Sequence, residues 1–337
     1  MRNDLVLLTG ITGFIAKRIA LDLLLAGYRV RGTLRSARGE EEVRTALGPH
    51  LPDAALLDRL TFARADLTAD DGWPAAMEGV TAVLHTASPF PIAQPRDEDE
   101  VIRPAVDGTL RVLRAAQAAG VTRVVLTSSM EAVMHGHHGR AVTESDWSDP
   151  AAPTASAYTR SKTLAERAAW DFVAAHPGMR LTATNPGMVV GTPVDAHTGS
   201  SVSVIQRFFA GRDPVVPDVV LPVVDIADVA AMHVAALDRP ETIGHRYICA
   251  DRFMSMPQMS ATLKSAWPAR RIPTRIAPRP LLRLLALFDR EVRMILPWLG
   301  WSLSLDNTAA RRDFAMTFTP APEAILKTAA FLARTAP

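Results

Sequence analysis

The sequence predicts an α/β protein built on a doubly wound (Rossmann) parallel sheet, with a smaller, discontinuous second lobe. Short apolar runs alternate with longer segments of helical periodicity over residues 5–187. The first apolar run leads through a glycine-containing turn directly into a helix pattern. Because strands covered by helices on both faces have no polar side, such runs are typical of a buried parallel sheet.

The first strand, predicted over 5–8, leads into a dinucleotide-binding turn. A helix is predicted over 14–26 and a second strand over 28–33, which gives strand, turn, helix and strand within about thirty residues. Gly10 permits the tight turn, and Gly13 lets the backbone approach a pyrophosphate at the helix N-terminus. The alternative is a glycine turn that binds no ligand. The segment is Thr9-Gly10-Ile11-Thr12-Gly13-Phe14-Ile15-Ala16.

The end of the second strand indicates which nucleotide is bound. An acidic residue there would bond the adenosine ribose hydroxyls of NAD, but no acid occurs between Thr33 and Glu40. Arg35, together with Arg38, could instead hold a 2′-phosphate by charge-assisted hydrogen bonds. We therefore expect NADPH/NADP+ as cofactor. The alternative is that one or both arginines are only solvated and bind no phosphate, and this alternative applies more to Arg38.

The alternation continues with four more predicted strands, at 60–65, 82–85, 124–127 and 181–184, separated by helices at 40–47, 98–119 and from about 153 onward. Six strands in this arrangement place ligands at their carboxyl ends. The residues at those ends are Gly10, Arg35, Asp66, Ala87, Ser129 and Pro186.

Tyr158 and Lys162 are four residues apart in the helix that we expect to begin at Pro153 and Thr154. This spacing puts both side chains on one helix face. An ammonium near a phenol lowers the tyrosine pKa from its usual value of about 10, and such a tyrosine can exchange a proton with a substrate oxygen. Taken alone, the motif usually indicates an exposed Tyr beside a solvated Lys.

We predict an NADP-binding Rossmann domain over 1–187 and 224–250, a substrate-binding lobe over 188–223 and 251–319, and a C-terminal helix over 320–337 that packs on the body. Asp225 should cap a helix over 225–237, in which His233 is structural. An amphipathic segment over 281–301, broken at Pro297, should pack on the protein, and a membrane-surface role is the alternative. Most large apolar residues of the lobe should be core and a few should line the pocket: Phe208, Phe209, Trp267, Leu284, Phe288, Trp298 and Trp301.

The composition argues against several kinds of partner and indicates the cellular compartment. The 337 residues carry a formal charge of +2, with arginines spread along the chain, which gives no reason to expect a nucleic-acid partner. The single cysteine, Cys249, excludes an intrachain disulfide and should be a buried thiol. The N-terminus does not resemble a signal peptide, and no uncharged apolar run reaches membrane-spanning length. We therefore expect a cytoplasmic protein with no membrane partner.

Three histidines, His135, His137 and His138, lie in a glycine-rich stretch. No cysteine or pair of carboxylates is close enough in sequence to complete a metal site. We predict no metal here and expect a mobile loop at the mouth of the pocket.

Taken together, these motifs resemble those of the extended short-chain dehydrogenase/reductase (SDR) family. The resemblance is greatest to its dihydroflavonol-reductase and aldehyde (methylglyoxal) reductase branch. The resemblance covers about 5–250, with the motifs in the family's order. They are the glycine turn at 9–16, the segments 32–36, 66–67, 85–90, 127–129, 158–162 and 185–191, and the acidic segment 225–230.

The resemblance implies a catalytic triad of Ser129, Tyr158 and Lys162. It implies that Tyr158 protonates the developing alkoxide, that Lys162 bonds the nicotinamide ribose and lowers the tyrosine pKa, and that Ser129 bonds the carbonyl oxygen. The implied cofactor contacts are Thr9, Gly10, Gly13, Phe14 and Ile15, Arg35 and Arg38, Asp66 and Leu67, Thr86, Ala87 and Ser88, Lys162, Pro186 and Met188. One departure, Met130-Glu131 after the catalytic serine, is bulkier and more acidic than the family's small residues and leaves substrate size and polarity open.

The expected function is reversible, NADPH-dependent reduction of small or medium aldehydes and ketones, including 2-hydroxyketones. Two alternatives stay open: an NAD-dependent sugar epimerase or dehydratase of the same fold, and a non-catalytic module that senses NADP(H). The epimerase predicts an acid where Arg35 stands, and the sensor predicts loss of Tyr158 or Lys162. As partners we expect a small-molecule carbonyl substrate and a second copy of the chain. Two antiparallel helices that pair across a twofold axis are typical of the family, and the helices at 98–119 and 154–175 are the candidates for this homodimer.

Overall fold

The structure is a computed structural model that describes residues 3–88, 97–288 and 290–335. Its strands are β1 Leu5–Thr9, β2 Arg29–Leu34, β3 Leu60–Arg64, β4 Ala82–His85, β5 Arg123–Thr127, β6 Ala141–Val142, β7 Arg180–Pro186, β8 Met188–Val190, β9 Val220–Asp225, β10 Arg246–Cys249, β11 Arg252–Ser255 and β12 Ser304–Leu305.

The helices follow the strands in the order that the sequence predicts. They are α1 Phe14–Leu25, α2 Arg38–Leu47, α3 Trp73–Met77, α4 Asp99–Ala118, α5 Ala157–Ala175, α6 Ser200–Phe209, α7 Ile226–Leu237, α8 Met256–Ala266, α9 Arg279–Leu285, α10 Arg290–Ile295, α11 Thr308–Phe314 and α12 Ala321–Thr335. Within these ranges, none of the helices combines the length and the apolarity that a bilayer span needs.

The central sheet has seven parallel strands in the order β3-β2-β1-β4-β5-β7-β10. One apolar core packs α1 and α7 on one face of the sheet, and a second packs α3, α4 and α5 on the other. The predicted doubly wound fold is confirmed. The sheet has one strand more than the six expected, because β10 pairs with β7 at the edge, in register Arg246 to Ala183.

A second, three-stranded sheet of β8, β9 and β11 lies outside the central one. Its core joins side chains of α6, α8 and α12, including Phe208, Met259 and Ile325. The C-terminal helix α12 therefore packs on elements assigned to the second lobe. The division into a cofactor domain and a substrate lobe stays a prediction.

The helix that carries Tyr158 begins at Ala157, so the expected start at Pro153 and Thr154 is wrong. Ser156 forms a reciprocal cap with Thr159. The Ser156 hydroxyl accepts the Thr159 N–H at 3.1 Å, and the Thr159 hydroxyl accepts the Ser156 N–H at 3.1 Å. These two bonds satisfy donors that the first helical turn leaves free, which fixes the start at this point.

The apolar segment near 281–301 differs from its prediction. It forms two short helices, α9 and α10, followed by a 3-10 turn over Leu296–Trp298. Leu284 is 56% exposed and Phe288 is 85% exposed, so these two side chains are not core. Of the other five predicted residues, Phe208, Phe209 and Trp301 are buried, and Trp267 and Trp298 are half-buried.

Candidate active site

The glycine turn after β1 is fixed by contacts with β2 and β4. Gly10 has φ +65°, and a Cβ at this position would lie 3.0 Å from the Ala87 Cβ. Its N–H donates to the Thr33 hydroxyl at 3.0 Å, and the Gly13 N–H donates to the Gly10 carbonyl at 2.9 Å. Only glycine fits this backbone angle and this space, which leaves the N-terminus of α1 open on the sheet edge.

Thr9 joins the ends of β1 and β4 by its side chain. Its Oγ1 accepts the N–H groups of Thr86 at 3.1 Å and Ala87 at 3.0 Å, so its own proton is donated to His85 Nδ1 at 2.8 Å. Burial, followed by the positive charge of Lys162, lowers the pKa of His85 to about 3. His85 is therefore a neutral acceptor, and the Thr9 hydroxyl is used within the sheet.

A groove with a cavity of about 320 Å³ runs from the glycine turn to the end of β7. Ten predicted site residues lie along it: Gly10, Gly13, Phe14, Ile15, Thr86, Ser88, Ser129, Tyr158, Lys162 and Pro186. Ala87 borders a small cavity behind the groove, with His85 and Lys162. Met188 lines the adjoining cavity instead.

Arg35 and Arg38 are both exposed, at the end of β2 and the first residue of α2. Among the described residues, neither guanidinium forms a hydrogen bond or a salt bridge. The charge of Arg35 is one of the lesser causes that lower the pKa of Asp66, after two hydrogen bonds from Thr68. Both arginines thus keep their donors available to a ligand.

Asp66 and Leu67, at the end of β3, are not in the lining of the groove cavity. The Asp66 carboxylate accepts the N–H and the hydroxyl of Thr68, each at 2.8 Å. Leu67 packs against α4, where a Cβ on Gly108 would lie 2.9 Å from its side chain. Their predicted contact with the adenine stays a prediction.

Ser129, Tyr158 and Lys162 come together where the groove ends. A hydrogen bond joins the side chains of Ser129 and Tyr158, and Lys162 Nζ lies 5.7 Å from the centre of the Tyr158 ring. Lys162 is 8% exposed, and burial lowers its pKa to about 8. A hydroxyl pair and a cation therefore face the same end of the groove.

The expected depression of the Tyr158 pKa is wrong for the protein alone. Burial, and then the negative charge of Glu131, raise the pKa of Tyr158 above its ordinary value, and the bond from Ser129 offsets only part of this. The sequence could not indicate that Glu131 lies near the phenol, since the two are 27 residues apart. Tyr158 is accordingly a neutral phenol at neutral pH.

The two adjacent serines have different surroundings. The Ser128 hydroxyl donates to Glu166 at 2.5 Å, and Glu166 also accepts the Asn185 amide at 2.7 Å. The Ser129 hydroxyl instead accepts the Glu131 N–H at 3.1 Å and bonds Tyr158. Ser129 is therefore the serine beside the phenol, as the resemblance implies.

A second cavity of about 290 Å³ adjoins the groove at Tyr158, Ser129 and Pro186. A Cβ on Gly187 would lie 2.4 Å from the Pro222 carbonyl oxygen, so β9 closes one side. The sequence did not indicate most of the wall, which comes from separate parts of the chain. Its other members are Met130, Glu131, Met134, Gly187, Met188, Ser200, Ser201, Val204, Leu221 and Pro222. None of the aromatic residues proposed for the wall is among these described lining residues.

The histidine stretch also differs from its prediction. His135 is fully buried, and its ring is 4.8 Å from the Trp298 ring and 5.7 Å from the Trp301 ring. Its backbone N–H donates to the Ser148 hydroxyl at 2.9 Å. His135 is therefore fixed in the core, and no residue of 135–139 lines either cavity, so the expected position at the pocket mouth is wrong, while the mobility of 136–139 stays a prediction. No group of three or more potential metal ligands occurs in the part of the chain that the structure describes.

Other structural expectations are confirmed. Asp225 caps α7, with its carboxylate accepting the Ala227 N–H at 2.8 Å. His233 is buried and bonded by the Thr127 and Thr184 hydroxyls at 2.7 and 3.0 Å. Cys249 is buried, and burial raises the pKa of its thiol.

The family model of the NAD dependent epimerase/dehydratase family matches residues 6–250. The chain belongs to this family. The predicted resemblance to the extended SDR family is confirmed. Cinnamoyl-CoA reductase 1 of Petunia hybrida is 34% identical over 279 residues, which cover 81% of this chain and 80% of the relative.

Two further relatives carry reductase names. Anthocyanidin reductase ((2S)-flavan-3-ol-forming) of Vitis vinifera is 30% identical over 282 residues, 79% of this chain and 81% of the relative. Among solved structures, yeast methylglyoxal/isovaleraldehyde reductase complexed with NADPH is similar to this chain, with a TM-score of 0.80 and 26% identity. The match covers 98% of this chain and 98% of the yeast chain.

Proposed function

We propose that this protein is an NADPH-dependent reductase that converts aldehydes or ketones to alcohols, reversibly. The observation that carries the proposal is the meeting of Ser129, Tyr158 and Lys162 where the glycine-turn groove joins a second cavity. A cofactor in the groove and a carbonyl compound in the cavity would meet at the phenol. The relatives' names and the NADPH in the yeast structure support the same activity.

The groove has the features that NADPH needs. The turn at Gly10 provides the close backbone approach that a pyrophosphate requires, and the N-terminus of α1 favours its charge. Arg35, together with Arg38, would hold the 2′-phosphate, because neither guanidinium is bonded to another described residue. Lys162 would bond the nicotinamide ribose. When bound, NADPH supplies the hydride that reduces the carbonyl carbon.

Tyr158 would donate its proton to the carbonyl oxygen as the alkoxide develops. Its raised pKa keeps it protonated at neutral pH, which suits a general acid. The Ser129 hydroxyl would bond the same oxygen and stabilise its growing charge. Lys162, whose pKa of about 8 leaves it mostly charged at pH 7, would stabilise the phenolate that remains.

The test measures oxidation of NADPH and of NADH with a panel of aldehydes, ketones, diketones and ketoesters, for the wild type and for Tyr158→Phe. We expect turnover with NADPH that collapses in the variant while NADPH still binds. Tight NADPH binding without turnover of any carbonyl would favour the sensor. Preference for NADH, with cofactor retained through purification, would favour the epimerase.

A further inference from the structure

Glu131 is an acidic residue in the wall of the proposed substrate cavity. It lies in a 3-10 turn over Met130–Ala132, two residues after Ser129, and lines the second cavity with Tyr158. Its own N–H donates to the Ser129 hydroxyl at 3.1 Å. The carboxylate therefore belongs to a rigid turn that is tied to the proposed catalytic serine.

The two carboxylate oxygens of Glu131 have different partners. Oε2 accepts from His135 Nε2 at 2.9 Å and from the Thr159 hydroxyl at 2.5 Å. Oε1 accepts no hydrogen bond from the residues that the structure describes, and the side chain is 20% exposed. One oxygen thus fixes the carboxylate, and the other accepts from none of the described residues, on a side chain that lines the cavity.

The groups that hold Glu131 are themselves fixed. The His135 ring lies against Trp298 and Trp301, and its Nδ1 is 2.9 Å from the Thr154 hydroxyl. Thr159 is fully buried in the first turn of α5 and belongs to the helix cap. The carboxylate is therefore oriented before any substrate binds.

The carboxylate also keeps its charge. Burial alone would raise the pKa of Glu131, but the charge of His135 and the bonds from His135 and Thr159 outweigh it and leave the pKa below its ordinary value. A charged oxygen that loses its water to an apolar substrate is left without a partner, which is costly. A substrate with its own donor replaces that water by a charge-assisted hydrogen bond.

We infer that Glu131 is a specificity-determining residue that selects carbonyl substrates bearing a hydrogen-bond donor, a hydroxyl or an ammonium group, close to the carbonyl carbon. The inference rests on the proposed reductase function. A site built to bond a donor discriminates strongly against the analogue that lacks it, whereas an apolar wall discriminates weakly. The Glu131 side chain would act through Oε1.

The test uses three substrates of nearly equal size: hydroxyacetone, its methyl isostere butanone, and aminoacetone. kcat/KM with NADPH is measured for the wild type, Glu131→Gln and Glu131→Leu, with Glu323→Gln as a control at an exposed position. We expect the wild type and the control to prefer hydroxyacetone over butanone by about tenfold or more. Glu131→Leu should abolish that ratio, which is taken within each variant because loss of the Glu131 charge also changes the electrostatics of Tyr158 for all three substrates.

Glu131→Gln distinguishes the two donors. The glutamine amide oxygen is still a hydrogen-bond acceptor but carries no charge. Hydroxyacetone should therefore keep part of its advantage in kcat/KM over butanone. Aminoacetone should lose more of its advantage, because its ammonium group is a cation. If Glu131→Leu does not fold, as judged by NADPH binding and Tm, the change in the aminoacetone to butanone ratio in Glu131→Gln carries the test.

An unchanged substrate ratio in folded variants that still reduce butanone would overturn the inference and leave the proposed function standing. No turnover of any carbonyl by the wild type, with NADPH bound, would overturn both. A general loss of activity on all three substrates in equal proportion would assign Glu131 a structural role and overturn the inference.

Discussion

Glu166 and Arg246 form a buried ion pair, with 2.5 Å between Oε1 and Nε, that joins α5 to the edge strand β10. Both side chains are nearly excluded from water, at 0% and 9% exposure. Glu166 also accepts from Ser128, Asn185 and the Trp170 indole. One carboxylate thus fixes the side chains of Ser128, the neighbour of Ser129, and of Asn185.

Glu166→Gln should destabilise the protein by about 3 kcal/mol, because it leaves the Arg246 guanidinium buried without a countercharge. Urea denaturation of the cofactor-free protein measures the change. The matched control is Asp99→Asn, which breaks the pair with Arg103 on the surface of α4, where the two side chains are 50% and 75% exposed. That change should stay below about 1 kcal/mol. Equal effects of the two substitutions would contradict the structural role of Glu166.

Tyr158→Phe should lower kcat for carbonyl reduction by about a hundredfold or more, because it removes only the proton donor. NADPH affinity, followed by fluorescence titration, should change little. Tyr28→Phe is the matched control, since the Tyr28 hydroxyl bonds Asp238 at 3.0 Å in the apolar core on the α1 face, away from the groove. A Tyr158→Phe variant with wild-type kcat would show that another group protonates the substrate.

Arg35→Ala should weaken NADPH binding by about ten- to a hundredfold, as expected for loss of hydrogen bonds between charged groups. Its NADH affinity should be nearly unchanged, because NADH has no 2′-phosphate. Arg38→Ala provides the comparison at the second exposed arginine, the first residue of α2, and should have the smaller effect. Equal losses for NADPH and NADH would mean that Arg35 contacts something other than the 2′-phosphate.

The sequence was enough to predict the sheet, the glycine turn and the groove, because each depends on local apolar runs and turn residues. It was not enough for contacts between distant segments. His135 was expected in a mobile loop, but Trp298 and Trp301 bury it from more than 160 residues away. The same holds for Glu131, whose departure from the family pattern was visible while its proximity to Tyr158 was not.

Lys162→Met should stabilise the cofactor-free protein at pH 7, by up to about 3 kcal/mol for a pKa lowered from 10.5 to about 8. Below pH 8 the folded and unfolded chains both hold the proton, so the cost of burying the charge is fully present in the wild type. Between pH 8 and 10.5 the folded protein releases the proton while the unfolded chain keeps it, and the wild type gains stability with rising pH.

The advantage of Lys162→Met should therefore be largest at or below pH 7 and should shrink as the pH approaches 10. Urea denaturation of both proteins at pH 7, 8, 9 and 10 measures it. NADPH binding should weaken in the variant at pH 7, because the ammonium that would bond the ribose is gone. A difference in unfolding free energy between the wild type and Lys162→Met that stays constant across the pH range would contradict this prediction. It would mean that burial does not lower the pKa of Lys162. If Lys162→Met is more stable than the wild type at pH 7 but binds NADPH more weakly, Lys162 is a residue that serves cofactor binding although it destabilises the fold.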